Sequence, residues 1–311
     1  MKTQIFATAM LFAVSSGALS AADPRLLSLV MPDATALAGV NVDQAKATPF
    51  GQYVLTTLLQ TQDQQLQQLA TLTGFDPRRD VNELLLASAS APGNKTGLAL
   101  ARGVFDPDKI AAAAQSAAAA VETYGGVSIL EDPQHQNGFA FLDSTLVVAG
   151  DLANVKAAID RRHGGPTISA KLAAQVSQLS STQDAWAIST VPPSTLKPPA
   201  AAPPAAGAGL QNALQKIESA SGGVKFGSVV VLTGQAQAAT PQDASSLGDV
   251  LQLFVNMAQL QAAKRPEAAA LAQSLVVSTQ GSTVKIILSL PEDQIQQLVK
   301  PKAAARKAVE M

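Results

Sequence analysis

The stretches "DSTLVVAGDLANVKAAID" (residues 143–160) and "GSTVKIILSLPEDQIQQLV" (residues 281–299) follow one pattern. In each, Ser-Thr precedes an apolar run typical of a buried strand, and a helix-start signal then precedes apolar residues four positions apart. Asp151 is placed to cap the first helix, and Ile295 takes an inward position on the second. We therefore predict that one structural unit occurs twice in the chain.

The rest of the chain extends this pattern into two halves, residues 23–182 and residues 183–300. Each half reads strand–helix–strand–strand–helix–strand–strand–helix, and the first half has one extra short strand, "GVSIL". We predict an α+β protein of two related halves, each an antiparallel sheet covered by helices. Two alternating α+β stretches that are alike by chance are the alternative. Residues 301–311 are expected to form a flexible basic tail.

Residues 1–22 have the pattern of a cleaved secretory signal peptide. Lys2 precedes the uncharged run "IFATAMLFAV", which is about half the roughly 20 residues of a membrane-spanning helix. Small residues at Ala18 and Ser20, or at Ser20 and Ala22, fit a signal-peptidase site, so two cleavage positions stay open. A short uncleaved anchor or a buried helix is the alternative. Export predicts a periplasmic or extracellular protein.

Composition narrows the function classes. The formal net charge is −1 and aromatic residues make up 4% of the chain, whereas nucleic-acid binders usually carry a basic stripe and stack bases on aromatic rings. We therefore expect no nucleic-acid partner. No later segment has 18 uncharged apolar residues in a row, so we expect no transmembrane segment after signal removal. There is no cysteine, which excludes disulfides and lipid attachment at a cleavage-site thiol.

Several local elements are specific enough to be tested. A helix capped by Asp106 is predicted to run through the alanines to Glu122, and a helix is predicted from Phe50 to Leu72. "LQNALQKIESA" is predicted as a helix, "KFGSVVVLTG" as a strand and "QAQAA" as a weaker strand. Phe254 lies in the apolar stripe of a capped helix and is expected to be buried against the sheet.

The proline-rich segment "PPSTLKPPAAAPPAAGAG" (residues 192–209) is the one low-complexity insert. It offers few large apolar groups, so burial cannot offset the entropy of ordering it. We predict a flexible loop outside the core. A PxxP ligand for a partner domain is the alternative.

No motif in the sequence identifies a catalytic, cofactor-binding or metal-binding residue. Its two histidines are His135 and His163, both in loop sequence, and a metal site would need Glu131, Asp132 and His135 to converge. A solvated turn is favoured. No G-x-S-x-G elbow surrounds a serine, although a Ser–His–Asp triad of distant residues stays open.

Two further motifs have a structural interpretation that is favoured over the functional one. "APGNKTG" lacks the residue order of a phosphate-binding loop and lies between two strands, so it is interpreted as a hairpin turn. The doubled arginines, Arg78-Arg79 and Arg161-Arg162, could dock an anionic partner, but exposed, solvated side chains are favoured.

Three stretches follow one another in this order: "LVMPDATALAGVNVDQAKATPFGQYVL", "GFDPRRDVNELLLAS" and "FLDSTLVVAGDLANVKAAID". Through these stretches, the chain resembles uncharacterised secreted proteins of Gram-negative bacteria. The resemblance covers most of the chain after the signal peptide. It implies export and a shared fold. That family has no assigned function, so the resemblance implies no site residues.

The leading hypothesis is an exported non-catalytic binding or assembly module of the bacterial cell envelope, with envelope proteins or an apolar ligand as partner. No cofactor is expected. A carrier of an apolar ligand and a hydrolase with a dispersed site are the alternatives. A concave apolar cavity would favour the carrier. A cleft that brings a carboxylate, a histidine and a serine together would favour the enzyme.

Overall fold

The computed structural model describes residues 22–60, 74–91, 94–109, 112, 120–132, 136–165, 167–192, 210–260 and 273–299. The helices are α1 (Pro24–Leu29), α2 (Val42–Lys46), α3 (Pro49–Gln60), α4 (Pro77–Asp80), α5 (Leu152–Arg161), α6 (Ala170–Thr182), α7 (Pro241–Leu260) and α8 (Glu292–Val299). The strands are β1 (Ala36–Asn41), β2 (Val81–Ala91), β3 (Asn94–Gly103), β4 (Ala120–Tyr124), β5 (Val127–Asp132), β6 (Asn137–Phe141), β7 (Leu146–Asp151), β8 (Ala185–Ser189), β9 (Ile217–Lys225), β10 (Val229–Ala238), β11 (Leu275–Gln280) and β12 (Thr283–Pro291).

The twelve strands form one sheet, in the order β11-β12-β10-β9-β8-β1-β2-β3-β7-β6-β5-β4. Every neighbouring pair is antiparallel. The chain is thus a mixed α+β protein with a large antiparallel sheet, as expected. The two halves meet at the pairing of β1 with β8, where Ala38 lies opposite Ala187, so they share one continuous sheet.

The first half buries its core on one side of this sheet, which we call the back face. The back face carries Leu37, Leu85, Leu100, Val148 and Ile188, all nearly or fully buried. Alternate residues of a strand point to opposite faces, and paired residues share a face, so these five lie together. Helices α1, α5 and α6 cover them and contribute the buried residues Leu26, Leu29, Val155, Ile159, Leu172 and Val176.

The second half buries its core on the opposite side, the front face. Near one end of the strands, Val230 and Leu290 pack with Phe50 of α3 and Ile295 of α8. Near the other end, Val284 packs with Ala244 and Leu247 of α7. The helices therefore change side as the sheet passes from the first half to the second, and part of each face is left without a helix from the described residues.

The junction of the halves is fixed by a close contact on the back face. Trp186 of β8 is the only tryptophan of the chain and is 6% exposed. It lies opposite Gly39 of β1, and a Cβ at Gly39 would lie 2.5 Å from the indole atoms Cε2 and Cζ2. Glycine is required here because the indole occupies the space of a side chain.

The helix predicted from Asp106 to Glu122 is wrong at its end. The cap is present, since Asp106 Oδ1 accepts a hydrogen bond from the Lys109 amide at 3.1 Å. However, Ala120–Tyr124 is strand β4, which pairs with β5. The residues Val121, Thr123 and Tyr124 have high β propensity, and pairing with a neighbouring strand outweighs the helix propensity of the alanines before them.

Two further element predictions in the second half are wrong. In "LQNALQKIESA", helix covers only residues 210–214, and Ile217 begins strand β9, where it lies opposite Ala238. "KFGSVVVLTG" and "QAQAA" are not two strands: Phe226 follows the end of β9, and β10 runs without a break from Val229 to Ala238. Helical spacing of three apolar residues was too short a signal to compete with sheet pairing.

Phe254 is half-buried, so the expectation of full burial is wrong. The neighbouring Val255 is buried instead, together with Leu247 and Ala244 of the same helix. The helix α7 is rotated slightly from the stripe that the sequence indicates. Val284 and Ile217 on the sheet provide the surface that fixes this rotation.

Some predictions fall outside the described residues. Helix α3 covers Pro49–Gln60 of the helix predicted from Phe50 to Leu72, and residues 61–73 are not described. The same holds for residues 1–21 of the signal peptide, for most of the proline-rich segment (193–209), for the tail at 301–311, and for His135.

Candidate functional site

A row of mostly small side chains crosses the front face through the middle of the sheet. Strand register places one residue from each of eight neighbouring strands, β9 to β5 in sheet order, directly opposite the next. We call this row the front-face trough; it consists of Gly222, Ala187, Ala38, Leu86, Ala99, Ala149, Phe139 and Leu130. Adjacent strands lie about 4.8 Å apart, so the row is roughly 34 Å long.

The trough contains two concavities that meet at Leu86. One, of about 590 Å³, lies over β2, β3, β7, β6 and β5, and the other, of about 530 Å³, lies over β9, β8, β1 and β2. Both are open to solvent along their length. Each falls within the size range of ligand-binding clefts, and Leu86, with 45% of its surface exposed, forms the ridge between them.

The sequence makes this surface concave by leaving out side chains. Alanine and glycine occupy five of the eight positions of the row, so the backbone forms most of the floor. At Gly222, a Cβ would lie 2.5 Å from the carbonyl oxygen of Thr233, so glycine is required at that point. The row neighbours Ser189, Ala36, Ser88 and Gly97 continue the small-residue surface toward one end of the strands.

The lining of the two concavities is apolar and uncharged. Its polar side chains are Ser88, Ser189, Ser221 and Asn137, and no lining residue is ionisable. The hydroxyl of Ser189 already donates to the carbonyl of Val191 at 2.9 Å. A ligand held here would be bound by shape and by burial of apolar surface, with few directed hydrogen bonds.

A second cluster, of charged side chains, lies between β4, β5 and α5. Lys156 Nζ is 2.5 Å from Glu122 Oε2 and 5.6 Å from the ring centroid of Tyr124, whose hydroxyl donates to Asp160 at 3.0 Å. Hydrogen bonding between the carboxyl groups of Glu122 and Glu131 lowers the pKa of Glu122 and raises the pKa of Glu131. Of the two carboxyl groups, Glu131 is therefore the one that keeps its proton to the higher pH.

A third group joins the start of the described chain to the sheet. Glu83 is 9% exposed, and burial raises the pKa of its carboxyl against the opposing effect of Arg102. Arg102 Nε lies 3.4 Å from Glu83 Oε2 and 3.3 Å from Asp23 Oδ2. These contacts fix α1 on the back face, and they are far more typical of an anchoring network than of a reaction centre.

The doubled arginines make contacts within the protein. Arg79 bridges to Asp80 at 2.6 Å, and Arg161 donates to the carbonyl of Leu29 at 2.8 Å. Arg162 donates to the carbonyl of Gly125 at 3.0 Å and to His163 Nε2 at 2.9 Å. Three of these guanidinium groups therefore tie turns and helix ends together.

The residues considered for a metal site are not assembled into one. Glu131 pairs with Glu122, and His135 lies outside the described residues. The part of the chain that the structure describes has no cluster of three or more metal-binding side chains. Within those same ranges, no helix combines the length and hydropathy that crossing a bilayer requires.

No residue of the front-face trough was singled out by the sequence. An isolated alanine or glycine in a strand carries no chemical signature, and the eight members come from positions between 38 and 222. The available signal was the unusual frequency of alanine, glycine and serine in strands such as "SASGG" and "LASAS", where larger β-branched residues are the norm.

Comparison with known proteins adds a likeness of fold. No protein-family model matches the chain, and no curated protein matches it. Among solved structures, crystal form III of TP0453 superposes with a TM-score of 0.57 at 8% identity, over 89% of this chain and 97% of that one. Crystal form I of TP0453 gives a TM-score of 0.52 at 8% identity, over 89% and 96% of the two chains. The chain is therefore similar in fold to TP0453.

Proposed function

We propose that the protein is an exported, non-catalytic binding module of the bacterial cell envelope, and that the front-face trough is its binding surface. The observation that carries the proposal is the uncharged, concave row from Gly222 to Leu130, with two adjoining concavities. A sheet ordinarily buries such small apolar residues under helices or a second sheet. Here Ala187 and Leu86 are exposed and the other six residues of the row are only half-buried, so an occupant would bury further apolar surface.

The second candidate is a carrier of an apolar ligand. It is favoured by the lining, in which no side chain is ionisable and the large groups are the aromatic ring of Phe139 and aliphatic side chains such as Leu86. An elongated apolar molecule matches a row roughly 34 Å long better than a compact polar one does. The two candidates share a surface and differ in whether a protein or a small ligand fills it.

Leu86→Arg tests the surface, and Val276→Arg is its matched control. Both leucine and valine are exposed, by 45% and 57%, so either arginine can reach water without disturbing the core. Val276 is on edge strand β11 and lies opposite Ile287 on the back face, outside the trough. The two variants therefore differ in place and not in chemistry.

The probe is N-phenylnaphthylamine, whose fluorescence rises in apolar surroundings. The carrier hypothesis predicts saturable binding to the wild type and to Val276→Arg, and at least a tenfold weaker affinity for Leu86→Arg. The binding-module hypothesis predicts that an envelope protein co-purifies with the wild type and Val276→Arg but not with Leu86→Arg. If both variants behave like the wild type in both assays, the trough is not the binding surface.

We also propose that the two halves arose by duplication. Moving outward from the β1–β8 pair, one side reads β1-β2-β3-β7-β6 and the other reads β8-β9-β10-β12-β11, which is the same order of corresponding strands. The first half has the additional hairpin β4–β5 at its edge. The likeness is confined to the strands, because a half-turn about the normal of the sheet keeps its two faces, whereas α5 covers the back face and α8 covers the front face. A crystal structure in which that half-turn superposes β1 on β8 and β7 on β12 would support duplication. A best superposition that pairs other strands would refute it.

Export and the resemblance to uncharacterised secreted proteins of Gram-negative bacteria complete the proposal. They rest on the signal-peptide pattern of residues 1–22 and on the quoted stretches of sequence. Cell fractionation of a Gram-negative host expressing the full chain tests localisation. Recovery of the processed chain in the periplasm or the medium is expected, and recovery of the full-length chain in the cytoplasm would refute export.

A further inference from the structure

The described chain begins with a residue that belongs to the core. Ala22 is 7% exposed and packs in the back-face cluster with Leu26 and Leu29 of α1. Its amide donates to Ser180 Oγ at 3.0 Å, and that hydroxyl in turn donates to the carbonyl of Val176 at 2.7 Å. Ser180 is 8% exposed, so this short hydrogen-bond chain is shielded from water.

The residue after it is held as firmly. The amide of Asp23 donates to Glu83 Oε1 at 3.1 Å, and the Asp23 carboxylate caps α1 by accepting from the Arg25 amide at 2.8 Å. Arg102 bridges Asp23 and Glu83. The fold therefore fixes the chain from Ala22 onward.

These contacts distinguish the two signal-peptidase positions that the sequence leaves open. Cleavage after Ala22 would remove a core methyl group and leave the hydroxyl of Ser180 without its donor. It would place the new ammonium group of Asp23 beside Glu83, but Arg102 already supplies the positive charge there. Cleavage after Ser20 keeps both contacts of Ala22.

We infer that signal peptidase cleaves between Ser20 and Ala21, so that the processed chain begins at Ala21 and is anchored by Ala22. The inference rests on the proposed export. The reaction is hydrolysis: the bond between the Ser20 carbonyl carbon and the Ala21 nitrogen breaks, and water supplies the hydroxyl and the proton. The leader leaves with a carboxylate at Ser20, and the processed chain gains an ammonium group at Ala21.

The intact mass of the protein from the periplasm of a Gram-negative host tests the position. A mass that corresponds to residues 21–311 is expected. A mass that corresponds to residues 23–311 would overturn the inference and leave the proposed export intact. A full-length chain in the membrane or cytoplasm would overturn both.

Ala18→Arg removes the small residue that only the inferred position needs three places before the cut. It is expected to abolish the chain that begins at Ala21, and undiminished production of that chain would overturn the assignment. The anchoring role is tested separately, on proteins released from a cleavable fusion so that they begin at Ala21 or at Asp23. The chain that begins at Asp23 is expected to unfold at a lower urea concentration.

Ser180→Ala separates the anchor from a general effect of chain length. In the protein that begins at Ala21, it removes the acceptor of the Ala22 amide and is expected to lower the urea midpoint. In the protein that begins at Asp23, this acceptor has no partner to lose, so the shift is expected to be smaller. Equal shifts in the two backgrounds, or equal midpoints of the two unsubstituted chains, would overturn the anchoring role.

Discussion

Gly39→Ala is the sharpest test of how the two halves are joined. A methyl group at Gly39 would lie 2.5 Å from Cε2 and Cζ2 of Trp186 and 2.7 Å from Nε1. Carbon atoms in contact prefer a separation of roughly 3.5–4.0 Å, so the indole must move by about 1 Å or more. Trp186 is 6% exposed and packs in the back-face core, which leaves little room for that movement.

The expected cost is that of overpacking a core, about 1–3 kcal/mol in the free energy of unfolding. Gly234→Ala is the control, because it is the same substitution in a strand of the same sheet. There the nearest atom to the new methyl group is Ile286 Cβ at 4.0 Å, an ordinary contact. Alanine is favoured over glycine in a strand by about 0.5–1 kcal/mol, so Gly234→Ala is expected to be neutral or slightly stabilising.

Urea unfolding followed by tryptophan emission measures both variants. Trp186 is the only tryptophan, so the signal comes from the residue that the substitution displaces. Gly39→Ala is expected to lower the midpoint and to change the emission of the folded protein, and Gly234→Ala is expected to do neither. If the two variants unfold at the same urea concentration, Trp186 does not pack over Gly39 and the register of β1 with β8 is wrong.

Three further predictions concern the core, the carboxyl pair and the β8–β9 junction. Leu85→Ala removes a fully buried side chain and is expected to lower the free energy of unfolding by about 2–5 kcal/mol. Phe254→Ala, at a half-buried position, is expected to lower it by less. A larger loss for Phe254→Ala in urea unfolding would contradict the observed rotation of α7. Because the pKa of Glu131 is raised, its protonated form contributes stability that is fully present below the unfolded-state pKa of about 4.3 and is lost as pH rises through the raised pKa. Glu131→Gln should therefore gain stability relative to the wild type as pH rises from about 4 to about 7, and a difference in urea midpoint that does not change with pH would refute the raised pKa. Asp184 is 3% exposed, and its carboxylate accepts hydrogen bonds from Lys225 Nζ and the Phe226 amide, both at 2.6 Å. Asp184→Ala is therefore expected to lower the free energy of unfolding by about 1–3 kcal/mol, measured by thermal unfolding. An unchanged melting temperature would show that the β8–β9 junction does not depend on the carboxylate.

The elements that the sequence predicted well have strong local signals. Asp151 caps α5 as expected, with its Oδ1 accepting from the Asn154 amide at 3.3 Å, and the buried Val155 and Ile159 lie one turn apart. The turn at Gly281 has a positive φ of 56°, which glycine adopts without strain, and it joins β11 to β12 at the predicted place. Caps, turns and regular apolar spacing are decided by residues close together in the chain, so they are visible in the sequence.

Helices α1 and α6 were missed although their caps are ordinary. Asp23 precedes Pro24 at the start of α1, and Ser169 caps α6 by accepting from the Leu172 amide. In the sequence, the stretch before α1 has the pattern of the end of a signal peptide, and the boundary between the two halves lies directly after α6. Both helices are needed because they cover the back face, and that need depends on the sheet and not on their own sequence.

The use of both faces could not be predicted either. Strand β2 carries Leu85, Ala87 and Ala89 on the back face and Leu84, Leu86 and Ser88 on the front face. Apolar residues thus occur on both faces, and such a strand does not say which face the helices cover. The covering is set by connections between elements far apart in the chain.

The front-face trough shows why the function of this chain is hidden from motif searches. Its eight members come from eight strands, and each is one ordinary residue in its own stretch of sequence. Five of them share the absence of bulk, which shapes a surface only when the register aligns them. A surface defined by shape is insensitive to the loss of any one polar group but sensitive to added volume. Introducing a large side chain at Ala38 or Ala99, on either side of Leu86, is therefore a more direct probe of binding than removing a serine from the lining.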